Sequence, residues 1–173
     1  VGALMVLVGR GSPDPAPAWS AWEPVGSAER RAAQIADHVS DPYRLPSGNA
    51  LAAVTYAGPP MVTGPDGSTF QVRALAVRPD ASGGRAEADA VDTSNAATTV
   101  MYTLCGLGQN CAIHGKASDE RGQLLRRQAL ELALYSFHYV DGVDSTLVLL
   151  PRRADGQEAT AIFLTKDDLR GEL

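Results

Sequence analysis

The 173-residue chain is poor in cysteine, with two, and poor in lysine, with Lys116 and Lys166 alone against thirteen arginines. Two cysteines cannot form the dense disulfide framework of a small secreted scaffold. Basic residues number 15 against 20 acidic ones, a net charge of −5. No segment gathers the basic residues into a field that would hold a phosphate backbone, so nucleic acid is not a partner. The arginine skew fits a high-GC coding sequence. There is no internal repeat and no run of the roughly 20 apolar residues that crosses a bilayer. What remains is a chain with 45% hydrophobic and 20% charged residues, enough to fold and sized for one core.

The chain opens Val1-Gly2-Ala3-Leu4-Met5-Val6-Leu7-Val8-Gly9-Arg10. Such a run ends at a basic residue and reads as the last turns of a membrane anchor continuing upstream of Val1, in a fragment or processed product. A buried edge strand and the remnant of a cleaved signal peptide are the alternatives. Pro13, Pro15, Pro17 and Pro24 follow, which favours an extended, semi-rigid stalk up to Gly26. Inside it lies Trp19-Ser20-Ala21-Trp22, whose rings are expected to anchor the stalk on the domain. The W-S-x-W spelling is also found in thrombospondin type 1 repeats, but the cysteines that should follow are missing, which excludes that family.

The division predicted is therefore residues 1–26 as anchor remnant and stalk, and 27–173 as a single α+β domain. Ser27 caps a helix from Ala28 to Val39 with Ala32, Ile35, Ala36 and Val39 on one face. Leu51–Tyr56 reads as a strand. Met61–Thr63 and Thr69–Val77 read as a hairpin around Gly64-Pro65-Asp66-Gly67, with Phe70, Val72, Ala74 and Ala76 on a shared face. Residues 79–96, with Asp80, Glu87, Asp89 and Asp92 against Arg85, read as a mobile loop. Thr98–Leu104 is a strand.

Ser118 starts a long helix whose apolar set (Leu124, Leu125, Leu130, Leu132, Leu134, Tyr135 and Phe137) is wide enough to predict large burial. Thr146–Leu150 and Ala159–Thr165 make a second hairpin. The Thr98 strand, the long helix and the Thr146 strand then form a right-handed crossover. The expected whole is a mixed, mostly antiparallel sheet of about five strands with two helices packed on it.

Cys105 and Cys111 flank Gly106-Leu107-Gly108-Gln109-Asn110. The glycines let the chain fold back, so a disulfide is sterically easy, and closing that loop is worth about 2.4 kcal/mol by chain entropy. A close, even pair behind an anchor and stalk fits an oxidising compartment. The competing readings are a zinc site from Cys105, Cys111, His114 and His138, at poor ligand spacing, and a reactive dithiol, which lacks the C-x-x-C spacing. Gly106-x-Gly108 misses the third glycine of a dinucleotide loop, and no G-x-S-x-G nucleophile motif occurs around His38, His114 or His138. The pairs Asp167-Asp168 and Asp141 with Asp144, and the doublets Arg30-Arg31, Arg126-Arg127 and Arg152-Arg153, read as solvated surface. No motif calls for a cofactor.

Trp19-Ser20-Ala21-Trp22, Tyr43-Arg44-Leu45-Pro46, Ala57-Gly58-Pro59-Pro60 and Leu104-Cys105-Gly106-Leu107-Gly108 together resemble the extracytoplasmic part of membrane-anchored proteins of high-GC Gram-positive bacteria. That resemblance implies a location at the cell membrane, facing outward, and assigns no functional residue. The expectation is a non-catalytic interaction or sensing module with a protein partner or a small ligand. The alternative is a small metal- or thiol-dependent enzyme centred on the Cys105–His114 loop.

Overall fold

The computed structural model describes residues 21–77, 92–113, 115, 118–152 and 160–173. Helix α1 (Ala28–Ser40) begins where Ser27, in extended conformation, turns its hydroxyl to accept from the Arg30 amide at 3.3 Å. Ser118 does the same for helix α2 (Asp119–Tyr139), accepting from Arg121, with Asp119 and Glu120 beside the free amides of the first turn. The α1 residues Ala32, Ile35, Ala36 and Val39 are all buried, as their spacing predicts.

The buried face of α2 differs from the expected leucine set. It consists of Leu125, Gln128, Ala129, Leu132, Ala133, Ser136 and Phe137, whereas Leu130 is exposed and Leu124, Leu134 and Tyr135 are half-buried. Small residues alternate with Leu125, Leu132 and Phe137 along the contact and let the helix lie close, so Leu124, Leu130 and Leu134 fall outside the buried face.

The central sheet has four strands in the order β1 (Ala53–Gly58), β6 (Thr99–Cys105), β7 (Ser145–Leu149), β8 (Ala161–Thr165). The β1–β6 and β7–β8 pairs are antiparallel and β6–β7 is parallel. Parallel neighbours need a crossover, and α2 supplies it. The expected α+β class and mixed, mostly antiparallel sheet are therefore present.

Register places Val54 opposite Leu104, Tyr102 opposite Val148, and Val100 opposite Thr146. These residues are all buried and share one face with the helices. Met101, Leu147 and Phe163 fall in one row across the other face, where each is half-buried. A single core results, formed by α1 and α2 on one side of the sheet and reinforced by Tyr43, Leu45 and Leu51 from the α1–β1 connection.

Two further ribbons account for the gap between about five expected strands and eight observed ones. Strand β2 (Met61–Thr63) pairs with β3 (Thr69–Gln71), and β4 (Ala74–Val77) pairs with β5 (Asp92–Asn95). The anticipated long hairpin arm thus splits at Val72–Arg73, and its second half takes a different partner. The shared apolar face is not formed, because Phe70, Ala74 and Ala76 are exposed. The end of the anticipated 79–96 loop is ordered: β5 leads into a 3-10 turn at Ala96–Thr98, which the Asn95 side chain caps by accepting from the Ala97 amide at 3.0 Å. Residues 79–91 of that loop lie outside the described residues.

Candidate functional site

Strand β6 ends at Cys105, and the chain reverses at once. Cys105 and Cys111 form a disulfide with an S–S distance of 2.05 Å, their Cα atoms 4.4 Å apart. Two backbone hydrogen bonds close the same loop, from the Gly106 amide to the Cys111 carbonyl and from the Gly108 amide to the Ala112 carbonyl, each 2.8 Å. Gly106 is required for a reason the sequence does not show. A Cβ there would stand 2.3 Å from the Ala112 carbonyl oxygen, so two backbone segments pass too close for any side chain. Asn110 and Cys111 adopt left-handed φ of 53° and 62° to complete the turn. Leu107 is held outward at 53% exposure.

With the two sulfurs joined to each other, neither is a thiolate able to ligate zinc or attack a substrate. His114 lies outside the described residues. His138 stands in the last turn of α2, its ring edge-on to Tyr139. At about 1.5 Å per residue that turn is roughly 28 Å along the axis from the end of α2 that the loop leads into. Among the described residues no group of three or more histidine, cysteine or acidic side chains is placed to hold a metal ion.

Five of the remaining candidates have structural partners. Arg31 pairs with Asp141 at 3.0 Å, Arg127 with Glu131 at 3.3 Å, and Arg170 with Asp167 at 2.8 Å. Asp168 accepts from both the amide and the hydroxyl of Thr165, at 2.9 and 2.6 Å, which holds its carboxyl below the ordinary value. Arg30, Arg126, Asp144 and Arg152 are exposed. Arg153 lies outside the described residues.

Sequence reasoning missed a second constellation, at the chain segment it assigned to the stalk. The Trp22 indole stacks on the His38 imidazole, centroids 4.0 Å apart and planes within 2°. Tyr135 and Tyr139 present ring edges to it at 5.9 and 6.2 Å. The Tyr139 hydroxyl donates to the Trp22 carbonyl at 3.1 Å, and burial, with Tyr135 and Glu23 adding, raises that phenol above its ordinary pKa.

Three residues on, the Gln34 carboxamide takes both backbone groups of Val25: its oxygen accepts from the amide and its nitrogen donates to the carbonyl, each at 3.0 Å. Pro24 between them is buried. Trp22–Val25, which lie in the predicted stalk, are therefore packed on α1 and α2. Trp22 anchors as its aromatic surface predicts, while Trp19 lies outside the described residues. Beside the ring is an open groove of about 420 Å³, lined by Trp22, Gln34, Asp37, His38, Ser40 and Asp41.

Comparison with protein families, with curated proteins and with solved structures finds no match for this chain. Among the described residues no helix is long and apolar enough to cross a membrane.

Proposed function

We propose that this chain is a non-catalytic domain displayed outside the cytoplasm on a membrane tether, where it serves as an interaction or sensing module. The observation that carries this reading is the Cys105–Cys111 disulfide. Cross-links of this kind persist in oxidising compartments and are reduced in a typical cytosol. The resemblance to membrane-anchored proteins of high-GC Gram-positive bacteria supports the same location. The partner is a protein or a small ligand.

The alternative, a metal- or thiol-dependent enzyme at the Cys105–His114 loop, requires free thiolates, and no contact among the described residues favours it. Differential alkylation of the protein in its native cells separates the two. The display reading expects both cysteines blocked until a reductant is added, and the domain cut by protease applied to intact cells. Two freely alkylated cysteines on a domain that external protease cannot reach would overturn it.

A further inference from the structure

We infer that the cavity at the start of α1 binds a small aliphatic amine in its protonated form, an ammonium head on a short apolar body. Helix α1 begins at Ala28 and α2 ends at Tyr139, so neither covers the end of the sheet where β6 starts. The space left there is a cavity of about 240 Å³. Its apolar floor is Val100, Val140 and Val143, all buried. Pro59 stands at one wall because the register of β1 against β6 shifts between Tyr56 and Gly58, and Gly58, at φ +79°, turns the chain out of the sheet. Every residue that lines the cavity is described, and none adjoins an undescribed stretch.

The polar groups on this cavity are uncommitted. Among the described residues, no hydrogen bond engages the Tyr56 hydroxyl, the Glu29 carboxylate or the Gln71 carboxamide, and all three residues line it. Asp141, on the rim, accepts from Arg31 at 3.0 Å through one carboxylate oxygen and keeps the other. Burial, with the Glu29 charge adding, raises the Tyr56 phenol above its ordinary pKa, so it stays a neutral hydroxyl able to accept from a cation. The two charged side chains that line the cavity, Glu29 and Asp141, are both acidic, which repels an anion. A primary ammonium carries three donors and no acceptor, one each for the Glu29 carboxylate, the Tyr56 hydroxyl and the Gln71 carboxamide oxygen, while its alkyl body covers the valine floor. The volume lies below the roughly 300–1,000 Å³ of sites for drug-sized ligands, so that body is short. This rests on the reading of the chain as a sensing module, whose ligand it names.

The test is a titration of the isotope-labelled 173-residue chain with n-butylammonium chloride, followed by amide chemical shifts. The shifts should saturate on the order of millimolar and centre on Glu29, Tyr56, Val100 and Gly142. Butan-1-ol and butanoate, of the same length, should bind at least tenfold more weakly. Glu29→Gln, an exposed change in the first turn of α1, should weaken the amine about tenfold and leave the alcohol unchanged. Tyr56→Phe should weaken it about threefold, and serves if the first variant does not fold. Equal binding of amine and alcohol, no saturable shift, or binding that neither folded variant weakens would overturn the inference. Nα-acetyllysine methylamide carries the same head on a peptide backbone and should bind more weakly than butylammonium; tighter binding would overturn the assignment to a free amine. The titration uses the purified chain and the alkylation uses intact cells, so a failure of the ligand and a failure of the location are read separately.

Discussion

The Tyr102 hydroxyl on β6 and the Ser136 hydroxyl on α2 lie 2.8 Å apart in the core, and both residues are fully buried. Ser136 has one proton and already donates it to the Leu132 carbonyl at 2.7 Å, so Tyr102 is the donor. Burial raises the phenol well above its ordinary pKa and keeps it neutral. The two halves of this bond are therefore unequal. Ser136→Ala strands a buried donor and is expected to cost about 2 kcal/mol, whereas Tyr102→Phe leaves Ser136 satisfied and should cost about 1 kcal/mol. Urea midpoints of the two variants should fall in that order, and the double variant should cost less than the sum.

Two glycine substitutions should move stability in opposite directions. Gly106→Ala drives a Cβ into the Ala112 carbonyl and should cost about 2 kcal/mol or more. Gly122, inside α2, would place its Cβ no nearer than 3.8 Å, against the mobile end of Arg126. Gly122→Ala should stabilise by about 0.5–1 kcal/mol. Thermal melts of the pair check both signs.

Reduction of Cys105–Cys111 should add about 2 Da to the intact mass and lower stability by about 2 kcal/mol, the loop-closure entropy returned to the unfolded chain. Cys105→Ser with Cys111→Ser should reproduce the loss without added reductant. The backbone bonds of Gly106 and Gly108 leave the turn a scaffold of its own, so the reduced protein is expected to remain folded at neutral pH by circular dichroism.

Asp168 gives the chain a local sensitivity to acid. Its carboxyl, bonded to Thr165, has a pKa lowered from 3.8. An acid whose folded value is depressed contributes stability that is complete above the unfolded value and is lost as pH falls through the folded one. The contribution should therefore be intact at pH 5 and begin to be lost as pH falls below about 3.8. Because the side chain is exposed, Asp168→Asn should cost about 0.5 kcal/mol at pH 7 and progressively less as pH falls below the unfolded value, as measured by denaturant titration across that range.

The helices were legible because their signals are local. Ser27 and Ser118 each sit one residue before a helix, and the α1 spacing marks its buried face correctly. The disulfide was legible from two cysteines in one short segment. Strand partners were not, because period-two alternation states which residues share a face but not which strand lies alongside. Thr69–Val77 carries one uninterrupted β pattern, yet its halves pair with Met61–Thr63 and with Asp92–Asn95.

Composition misled at both ends of that problem. The acidic, small-residue stretch around Asp92 reads as loop, although its backbone completes a ribbon. The proline-rich stretch around Pro24 reads as an extended stalk held by its tryptophans, and its sequence does not show that Gln34, nine residues after Val25, bonds both backbone groups of Val25. A glutamine on a helix face gives no sign in sequence of what it will hold. The aromatic content of Trp22, Tyr135 and Tyr139 was the one available signal for the clasp, and it named an anchor without its seat.

The parallel pairing of β6 with β7 bears on the order in which the molecule can assemble. The two central strands and the helix that links them come from one uninterrupted stretch, Thr99 to Leu149, whereas among the described residues β1 and β8 each meet one neighbour. Pairing β6 with β7 closes a connection that contains the whole 21-residue helix, a larger loop-closure cost than a hairpin carries. The β2–β3 ribbon closes over five residues, whereas the centre of the sheet is held by a contact between strands far apart in sequence.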